Sequence, residues 1–515
     1  MSKPTYYITT AIYYPNSDLH IGHAYEAIAT DAAARYKRLR GYDVRFMTGT
    51  DEFGKKIEEE ATKQGKTPQQ LVDHFSKSAK EVFDDLDVSY DVFWRTTDPR
   101  HVAAVQKIFN KLYENGDIYK HSYEGPYCTP CEAFYTASQA KEAEGKCTTC
   151  GRDLTQISEE AYFFKMSKYQ DRLIKHIEDN PGFIRPASRA LEMLNGFLRP
   201  GLEDLCVSRS TFKWGVPVSF DPSHVTYVWV DALSNYITGL GYVSDDDADF
   251  KKYWPADVHI LGKDVMRFHT IIWPAILMAL GEELPKQVFG HGWINVDGKK
   301  MGKSLGNAIN PIELTAQYGV DAIRFFLLRE ISFGQDGNYT TEILINRLNS
   351  DLANDLGNLL SRTVGMIDKY FGGTLPSVQS PTPHDDDLIA LAKATAPKAE
   401  AHYDALEFDK ALDAIWALIG HSNKYIDLVE PWKLAREEDK QDTLAGSLYN
   451  LVEVLRIVAI LIEPVMPSTP AKIYAQLNIN GNTNWDDASH FGLAPKEVQV
   501  AKGDAMFPRI EKGAK

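Results

Sequence analysis

The sequence predicts an α/β protein in which a parallel-sheet domain is followed by an all-α helical bundle. Three observations predict this architecture: a strand–helix–strand pattern at the start, similar strands after residue 225, and leucines at helical spacing in the last third. With 515 residues, the chain is also too long for a single hydrophobic core. We therefore expect several domains.

The first predicted element is a βαβ unit. Residues 6–14 are rich in β-branched and aromatic side chains and predict a buried strand, residues 19–39 follow a helical pattern, and residues 44–48 predict a second strand. Two strands joined through a helix pair in parallel. A Rossmann-like sheet domain is the expected result.

The sheet pattern returns after a long interruption. Further strands are expected at 225–230, 258–261 and 287–296, with a helix at 265–280, and three apolar stripes predict bundled helices in the last third. The expected division is 1–115 and 225–300 as the two halves of the sheet domain, 116–224 as an insertion, 301–345 as a loop and connecting region, and 346–515 as the helical domain.

Composition and charge exclude few classes of function. The net charge of −15 argues only weakly against a nucleic-acid partner, because a local basic face can lie on an acidic body. Residues 1–10 lack the pattern of a secretory signal, and the most apolar late stretch, 454–466, is too short to cross a bilayer. We expect a cytoplasmic protein with no membrane partner.

Four of the five cysteines form two Cys-x-x-Cys pairs, Cys128 with Cys131 and Cys147 with Cys150. In a reducing compartment this spacing is more typical of metal ligands than of disulfides, with redox pairing as the alternative. Four thiolates close a tetrahedral site around Zn²⁺ and leave no position open for catalysis, so we expect one structural zinc ion per chain. The fifth, Cys206, is expected to be a small buried apolar residue.

A candidate phosphate site lies where the first predicted strand passes to the first helix. His20 and His23 are three residues apart on one side of the first helical turn, and Gly22 lets a flat ring or a phosphate approach the backbone. The helix N-terminus adds partial positive charge. Taken alone, two histidines at this spacing are more often surface or structural residues.

A second candidate is the basic run from Lys299 to Ser304, which follows the turn signal Asp297-Gly298. Three lysines in five residues could close over a triphosphate, although such a run is usually a solvated face. Both candidates follow predicted strands, and parallel sheets bind ligands beyond the carboxyl ends of their strands. Their joint occurrence favours a nucleotide site.

These two motifs and several longer stretches resemble the methionyl-tRNA synthetases, a family of class I aminoacyl-tRNA synthetases. The stretches are TTAIYYPNSDLHIGHAY, TGTDEFG, YVWVDALSNY, ILGKDVMRFH and the late PWKLA. Cysteinyl-tRNA synthetase shares the two nucleotide motifs and is an alternative, but it lacks YVWVDALSNY. The leucyl, isoleucyl and valyl enzymes carry an editing insertion that residues 116–224 are too few to hold.

The resemblance implies a methionine–tRNA ligase. Such an enzyme joins L-methionine to ATP, with Mg²⁺, to give methionyl-adenylate and pyrophosphate, and then transfers methionine to the 3′-terminal adenosine of tRNA(Met). It aligns reactants and stabilises phosphate charge rather than supplying a nucleophile. By resemblance, the residues that stabilise this charge are His20, His23, Lys300 and Lys303, and those that bind ATP further include Gly22, Gly262 and Asp264.

The resemblance also implies the other binding sites. An adaptable apolar pocket with aromatic neighbours suits a thioether, and a carboxylate suits the ammonium group. The matching pocket positions are Ile12, Tyr14, Trp229, Ala232, Leu233, Tyr236, Val265 and His269, with Asp51 for the ammonium group. The region 301–345 would contact the tRNA stem, and 346–515 would bind the anticodon through Asn358, Arg362, Pro431 and Trp432. A tryptophan packed between helices is the alternative for Trp432.

Two positions depart from the family pattern. Gly302 stands where the lysine loop usually has serine, and Phe53 stands where many members have histidine, so position 53 receives no catalytic role. A further alternative is an inactive tRNA- or RNA-binding protein on a synthetase scaffold, which the intact histidines and lysines disfavour. We expect a monomer, because the chain ends soon after the bundle, without the extra domain through which some relatives dimerise.

Overall fold

The computed structural model describes residues 3–15, 18–128, 133–135, 137–148, 151–301 and 306–511. It confirms the predicted βαβ unit, because the first two strands flank the first helix and pair in parallel. The elements up to residue 114 are β1 (Thr5–Tyr13), α1 (Ile21–Leu39), β2 (Asp43–Thr50), α2 (Lys55–Lys63), α3 (Pro68–Asp85), β3 (Val92–Arg95) and α4 (Pro99–Glu114).

The region expected to be an insertion folds mainly as a small antiparallel sheet. Its elements are β4 (Ile118–Cys128), β5 (Ala133–Phe134), α5 (Ala137–Glu142), β6 (Thr155–Phe164), α6 (Gln170–Asp179), β7 (Ile184–Arg185), α7 (Ala187–Met193), β8 (Leu205–Cys206) and β9 (Ser208–Arg209). Four of these strands lie in the order β5-β4-β6-β8. The strand β7 instead forms an edge of the main sheet, a placement that a two-residue strand is too short to reveal in sequence.

The second half of the sheet domain contains β10 (Val225–Thr226), α8 (Val228–Thr238), α9 (Ala248–Tyr253), β11 (Val258–Gly262), α10 (Trp273–Leu280), β12 (Val288–His291), β13 (Ile294–Val296) and β14 (Lys299–Lys300).

Two strand predictions in this half need correction. The strand predicted at 225–230 ends at Thr226, because from Val228 the chain is a helix that is buried almost along its whole length, and tertiary burial overrides the β-propensity of valine. The strand predicted at 287–296 is two strands in different sheets. It breaks at Gly292, where an added Cβ atom would lie only 2.1 Å from the carbonyl oxygen of Gln335.

The main sheet has six strands in the order β3-β2-β1-β11-β12-β7, and every neighbouring pair is parallel. The chain places β2 and β3 on one side of β1 and returns with β11 and β12 on the other. In open parallel sheets, ligands bind at such a switch point, outside the carboxyl ends of the strands. The segments that follow β1, β2, β11 and β12 meet there.

The last third confirms the predicted helical bundle. Its elements are α11 (Pro311–Tyr318), α12 (Val320–Glu330), β15 (Gly337–Tyr339), α13 (Thr341–Arg347), α14 (Asn358–Phe371), β16 (Thr374–Leu375), α15 (Asp385–Asp404), α16 (Phe408–Val429), α17 (Pro431–Leu434), α18 (Gln441–Ile462), α19 (Thr469–Leu477) and β17 (Val498–Gln499). A π-helical segment, Leu348–Gly357, joins α13 to α14. Among the described residues, one helical stretch, Glu438–Ile462, is long and apolar enough to cross a membrane, but its apolar stretch is entirely buried as the core helix of the bundle.

A buried arginine joins the bundle to the sheet domain. The Arg324 guanidinium is fully buried and donates to the Asp31 carboxylate at 2.6 Å and to the Val465 carbonyl at 2.8 Å. Asp31 lies on α1, the helix that begins at the switch point. Removing one partner of a buried pair is strongly destabilising, so this contact fixes the bundle against α1.

Candidate active site

Two histidines close the N-terminus of α1. The backbone N–H of Gly22 donates to His20 Nδ1, and that of His20 donates to His23 Nδ1, both at 3.1 Å. The two rings stack with centroids 3.9 Å apart. Because each Nδ1 accepts a hydrogen bond, each neutral ring carries its proton on Nε2, where it can be donated to an oxygen.

The segments on either side of the lysine loop lie against this helix end. The carbonyl of Ile309 accepts the backbone N–H of Ile21 at 3.0 Å, which satisfies one of the donors left open at a helix N-terminus. A Cβ atom added at Gly22 would lie 3.1 Å from His20 Nδ1 and 3.4 Å from Met301 Cε, so a side chain here would crowd His20, and glycine keeps this space open. Lys303, in which the sequence predicts a catalytic lysine, and Gly302 lie outside the described residues.

Lys300 is presented by a tight hairpin. Strands β13 and β14 pair in antiparallel through Asp297 and Gly298, whose φ angles of 50° and 72° fit a two-residue hairpin turn. The Lys300 ammonium lies 3.9 Å from the centroid of the Trp293 ring, a cation–π contact. The Trp293 Nε1–H donates to Asp264 Oδ1 at 3.2 Å, so a single indole ring connects two of the predicted ATP contacts.

A second lysine contacts the same indole. Lys263 Nζ lies 4.1 Å from the Trp293 ring centroid and 2.6 Å from an Asp336 carboxylate oxygen. Neither Trp293 nor Lys263 was singled out from the sequence. Lys263 follows Gly262 directly, in the stretch ILGKDVMRFH, so its neighbours were a signal that could have identified it.

A buried ion pair lies below this edge. His291, the last residue of β12, donates from Nε2 to Glu26 Oε2 at 2.9 Å and from Nδ1 to the Gly292 carbonyl at 2.8 Å. Although burial opposes it, the hydrogen bond and charge of Glu26 raise the pKa of His291. Donation from both nitrogens fits an imidazolium. Glu26 also accepts the Ala11 backbone N–H and thereby links α1 to the end of β1.

The predicted methionine pocket is lined by α8 and the segment after β11. Trp229 stacks on Phe268 with ring centroids 3.8 Å apart and an interplanar angle of 14°. Phe268 was not singled out from the sequence, although it lies between two predicted pocket positions in ILGKDVMRFH. The structure places Ala232, Leu233 and Tyr236 in the interior and leaves Val265 half-buried.

A neutral histidine fixes the back of this pocket. The His269 Nδ1–H donates to the Val265 carbonyl at 3.0 Å, and the Tyr236 hydroxyl lies 2.7 Å from His269 Nε2. Burial lowers the pKa of His269 to about 4, so at neutral pH Nε2 accepts the Tyr236 proton. This arrangement holds the tyrosine ring in one orientation.

The remaining predicted pocket residues follow neighbouring strands. Ile12 and Tyr14 stand at the end of β1, and Asp51 follows β2 directly. Because Tyr13 lies opposite Thr50 in the parallel register, and the Asp51 N–H donates to the Tyr13 carbonyl at 3.0 Å, Tyr14 and Asp51 leave the sheet side by side. Asp51 is 8% exposed, which suits a carboxylate that receives a cation.

Away from this edge, two of the predicted metal ligands share one buried cluster. Cys128 and Cys147 are both buried around Tyr135, whose hydroxyl donates to Cys147 Sγ at 3.2 Å. The Gly151 N–H donates to the Cys147 carbonyl at 2.8 Å. Cys131 and Cys150 lie outside the described residues. Cys206 is buried, as predicted.

Three of the four predicted RNA-contacting residues of the bundle reach the surface. Asn358 is exposed, and Arg362 donates from Nη2 to Asp427 on α16 at 3.1 Å. Pro431 is buried, whereas Trp432 is 38% exposed in the short helix α17. The RNA-contacting role of Trp432 stays a prediction.

Comparisons with known proteins agree along the whole chain. The family model for class I tRNA synthetases (M) matches residues 6–364, and the model for the anticodon binding domain of methionyl tRNA ligase matches residues 375–514. The chain is 56% identical over 515 residues to the methionine–tRNA ligase of Clostridium tetani, a match that covers 100% of this chain and 80% of that relative. With the methionine–tRNA ligase of Caldanaerobacter subterraneus subsp. tengcongensis the identity is 57% over 510 residues, or 99% of this chain and 79% of the relative.

Solved structures give the same answer. The methionyl-tRNA synthetase of Mycobacterium tuberculosis in complex with methionyl-adenylate superposes with a TM-score of 0.93 and 42% identity, over 98% of this chain and 100% of that chain. The free form of the same enzyme superposes with a TM-score of 0.87 and 40% identity, over 99% of both chains.

Proposed function

The chain belongs to the methionyl-tRNA synthetases of class I, and from this premise we propose how its own residues carry out methionine–tRNA ligation. The activity has two steps: ATP and L-methionine give methionyl-adenylate and pyrophosphate, and methionine then passes to the 3′-terminal adenosine of tRNA(Met). Similarity over the full chain supports this activity and removes the support for a cysteinyl enzyme or an inactive scaffold.

In the activation step, the methionine carboxylate attacks the α-phosphate of ATP and pyrophosphate leaves. His20 and His23 donate Nε2 protons to phosphate oxygens at the positive end of α1, and Lys300 and Lys303 neutralise the charge that spreads over the leaving group. Gly22 leaves room for the adenine, and Gly262 and Asp264 contact the nucleoside. Mg²⁺ would accompany ATP and supply positive charge to its phosphates. The observation that carries this proposal is the meeting of the α1 end with the Lys300 hairpin at the switch point of the sheet.

Methionine binds with its thioether among aromatic rings. The Trp229–Phe268 stack and Tyr236 offer faces that suit sulfur, while Ile12, Tyr14, Ala232, Leu233 and Val265 fill the remaining apolar wall. Neutral His269 holds Tyr236 in place rather than meeting the substrate as a cation. Asp51 receives the methionine ammonium group, so the pocket selects an α-amino acid with a flexible apolar side chain.

One structural zinc ion fits the donor set of the cysteine knuckle. Cys128 and Cys147 are buried together, and the Tyr135 hydroxyl aimed at Cys147 Sγ suits a thiolate acceptor. The hydrogen bond from the Gly151 N–H to the Cys147 carbonyl brings the residue after this Cys-x-x-Cys pair back to its first cysteine, as a shared ion requires. Cys128, Cys131, Cys147 and Cys150 would hold the ion, and its role would be to fold this part of the insertion.

Transfer requires the tRNA to be read far from the sheet. Trp432 offers an exposed ring on which an unstacked anticodon base can lie, and Asn358 and Arg362 supply polar groups on the neighbouring helix. Pro431 starts the short helix that carries Trp432. We therefore propose that 301–345 contacts the tRNA stem and that 346–515 binds the anticodon. We also propose a cytoplasmic location. The monomeric state stays a prediction.

A matched pair of lysines tests the assignment of the hairpin. Lys300→Ala should slow methionine-dependent pyrophosphate exchange by about 10²-fold or more, because the lysine acts on charge that develops in the transition state. Lys299→Ala removes an exposed lysine on the same two-residue strand, whose side chain points to the other face, and should change exchange less than about threefold. Equal effects of the two substitutions would refute the role of Lys300.

A further inference from the structure

One guanidinium beside the pocket has no carboxylate partner among the described residues. Arg267 lies directly before Phe268, the ring that stacks on Trp229, and its side chain reaches solvent. Its guanidinium carbon lies 4.8 Å from the centroid of Phe197, which belongs to the insertion. Burial lowers the pKa of Arg267, while Tyr135 and Glu203 act on it only through longer-range charge.

Three other cations of this region have carboxylate partners. Lys263 lies 2.6 Å from Asp336, Arg199 lies 3.0 Å from Glu178, and ion pairing raises the pKa of Arg95 despite its burial. Arg267 is exposed, a guanidinium does not lose its proton in proteins, and no carboxylate among the described residues pairs with it, so its charge is available to an anion from solution.

The contacts of Arg267 indicate which anion this is. The groups proposed for the ATP phosphates meet around α1 and the Lys300 hairpin. Arg267 instead contacts Phe197 of the insertion, and the charges of Tyr135 and Glu203 act on it at longer range. In the transfer step, the 3′ end of the tRNA must reach the bound methionyl-adenylate. The planar fork of arginine matches a phosphate better than the point charge of lysine, and phosphate contacts are what position a nucleic-acid strand.

We propose that Arg267, seated on Phe197, binds a backbone phosphate of the 3′-terminal nucleotides of tRNA(Met) and so orients the terminal adenosine towards the bound adenylate. This inference rests on the proposed function, since it needs an adenylate and a tRNA to act on. Arg267 is a positioning residue here: it contacts the RNA backbone and not the bonds that change. Phe197 restricts the guanidinium through a cation–π contact, so less conformational entropy is lost when Arg267 binds the phosphate.

Two assays on the full-length protein separate this role from ATP chemistry. The first is methionine-dependent pyrophosphate exchange without tRNA, and the second is single-turnover transfer from preformed methionyl-adenylate to tRNA(Met) over a range of tRNA and salt concentrations. Arg267→Ala should leave exchange within about twofold of the parent and weaken the tRNA dependence of transfer by about 10- to 100-fold, the loss expected for a charge-assisted phosphate contact. In a plot of the logarithm of the apparent tRNA affinity against the logarithm of the salt concentration, the slope for Arg267→Ala should be smaller in magnitude by about one.

Three further variants fix the interpretation. Arg199→Ala removes an ion-paired arginine from the insertion that contains Phe197. It should change transfer less than about threefold, because exposed ion pairs contribute little. Phe197→Leu should weaken transfer by about 3- to 30-fold with exchange intact. If Arg267→Ala does not fold, Arg267→Lys keeps the charge and loses the fork, and should still weaken transfer selectively.

The outcomes are distinguishable. Unchanged transfer in Arg267→Ala at every salt concentration would overturn the proposal, and so would a loss of exchange in proportion to transfer, since the guanidinium would then serve the phosphates of ATP. Absence of exchange in the unmodified protein would instead overturn the proposed function.

Discussion

The ammonium group of Lys300 lies 3.9 Å from the centre of the Trp293 ring, and that of Lys263 lies 4.1 Å from the same ring. The indole N–H is bonded to Asp264 at 3.2 Å. Trp293 therefore holds a proposed phosphate contact and a proposed nucleoside contact at a fixed separation. A flexible lysine costs rotamer entropy when it is ordered, and the ring has already ordered it before ATP arrives.

Replacing this ring should weaken the use of ATP. We expect Trp293→Leu to raise the KM for ATP in pyrophosphate exchange by about 3- to 30-fold, the range of one or two cation–π contacts, with the KM for methionine changed less than about threefold. Trp293→Phe keeps the ring face, loses the N–H, and should fall between the two. If Trp293→Leu and the parent share one ATP dependence, the ring has no positioning role.

Most of the fold could be predicted from periodicity. The βαβ start and the leucine stripes are long patterns with one buried face, and such patterns determine element type well. The prediction of a strand over 225–230 was wrong because its three valines favour a strand, whereas the surrounding core buries a helix there. The two-residue edge strand Ile184–Arg185 was not predicted, for a different reason. Only its pairing with β12, more than a hundred residues away, marks it as a strand.

The candidate site could be predicted as separate pieces but not as an arrangement. His20, Gly22 and His23 are adjacent in sequence, so their common helix turn follows from spacing alone. The buried pair between Glu26 and His291 joins residues that are 265 apart, and no local pattern marks either one. Trp293 was missed because a single tryptophan near a turn is usually a packing residue, and its value depends on two lysines that only the fold brings to it.

The cysteine knuckle should carry one zinc ion per chain. Cys147→Ser should remove the metal and make residues 116–224 more sensitive to limited proteolysis, because binding energy at such a site is folding energy. Cys206→Ser is the matched control, because this thiol is also buried and its sulfur contacts Ser208 and Arg209. Elemental analysis that finds no zinc in the unmodified protein would contradict the proposal.

The neutral state of His269 should appear in the pH dependence of stability. Burial lowers the pKa of His269 from 6.5 to about 4, so between these values the unfolded chain binds more protons than the native protein, and the free energy of unfolding falls as the pH falls. From pH 7 to pH 5 the parent should lose about 2 kcal/mol more than His269→Gln, in which this position does not titrate. Parallel losses in urea unfolding would show that His269 titrates normally.

Trp432→Ala should impair charging of tRNA(Met) and spare methionine activation. Loss of one base–aromatic stack costs about 1–3 kcal/mol, or roughly 5- to 150-fold in transfer efficiency, while pyrophosphate exchange needs no tRNA. The ring is 38% exposed, so the melting temperature should change little. Trp416→Ala provides the contrast, because Trp416 is 6% exposed within the bundle and its loss should destabilise the protein by about 3–5 kcal/mol. A charging defect explained by a matching loss of stability would remove Trp432 from the RNA-binding surface.

Amino-acid-dependent ATP–pyrophosphate exchange, measured with each of the twenty standard amino acids in turn, tests the central claim most directly. The aromatic pocket closed by Tyr236 and the carboxylate of Asp51 predict rapid exchange with methionine and rates about 10- to 200-fold lower with leucine, isoleucine, valine and cysteine, since an apolar pocket discriminates by about 1–3 kcal/mol for each misplaced group. No exchange with any amino acid, or faster exchange with cysteine than with methionine, would contradict the account.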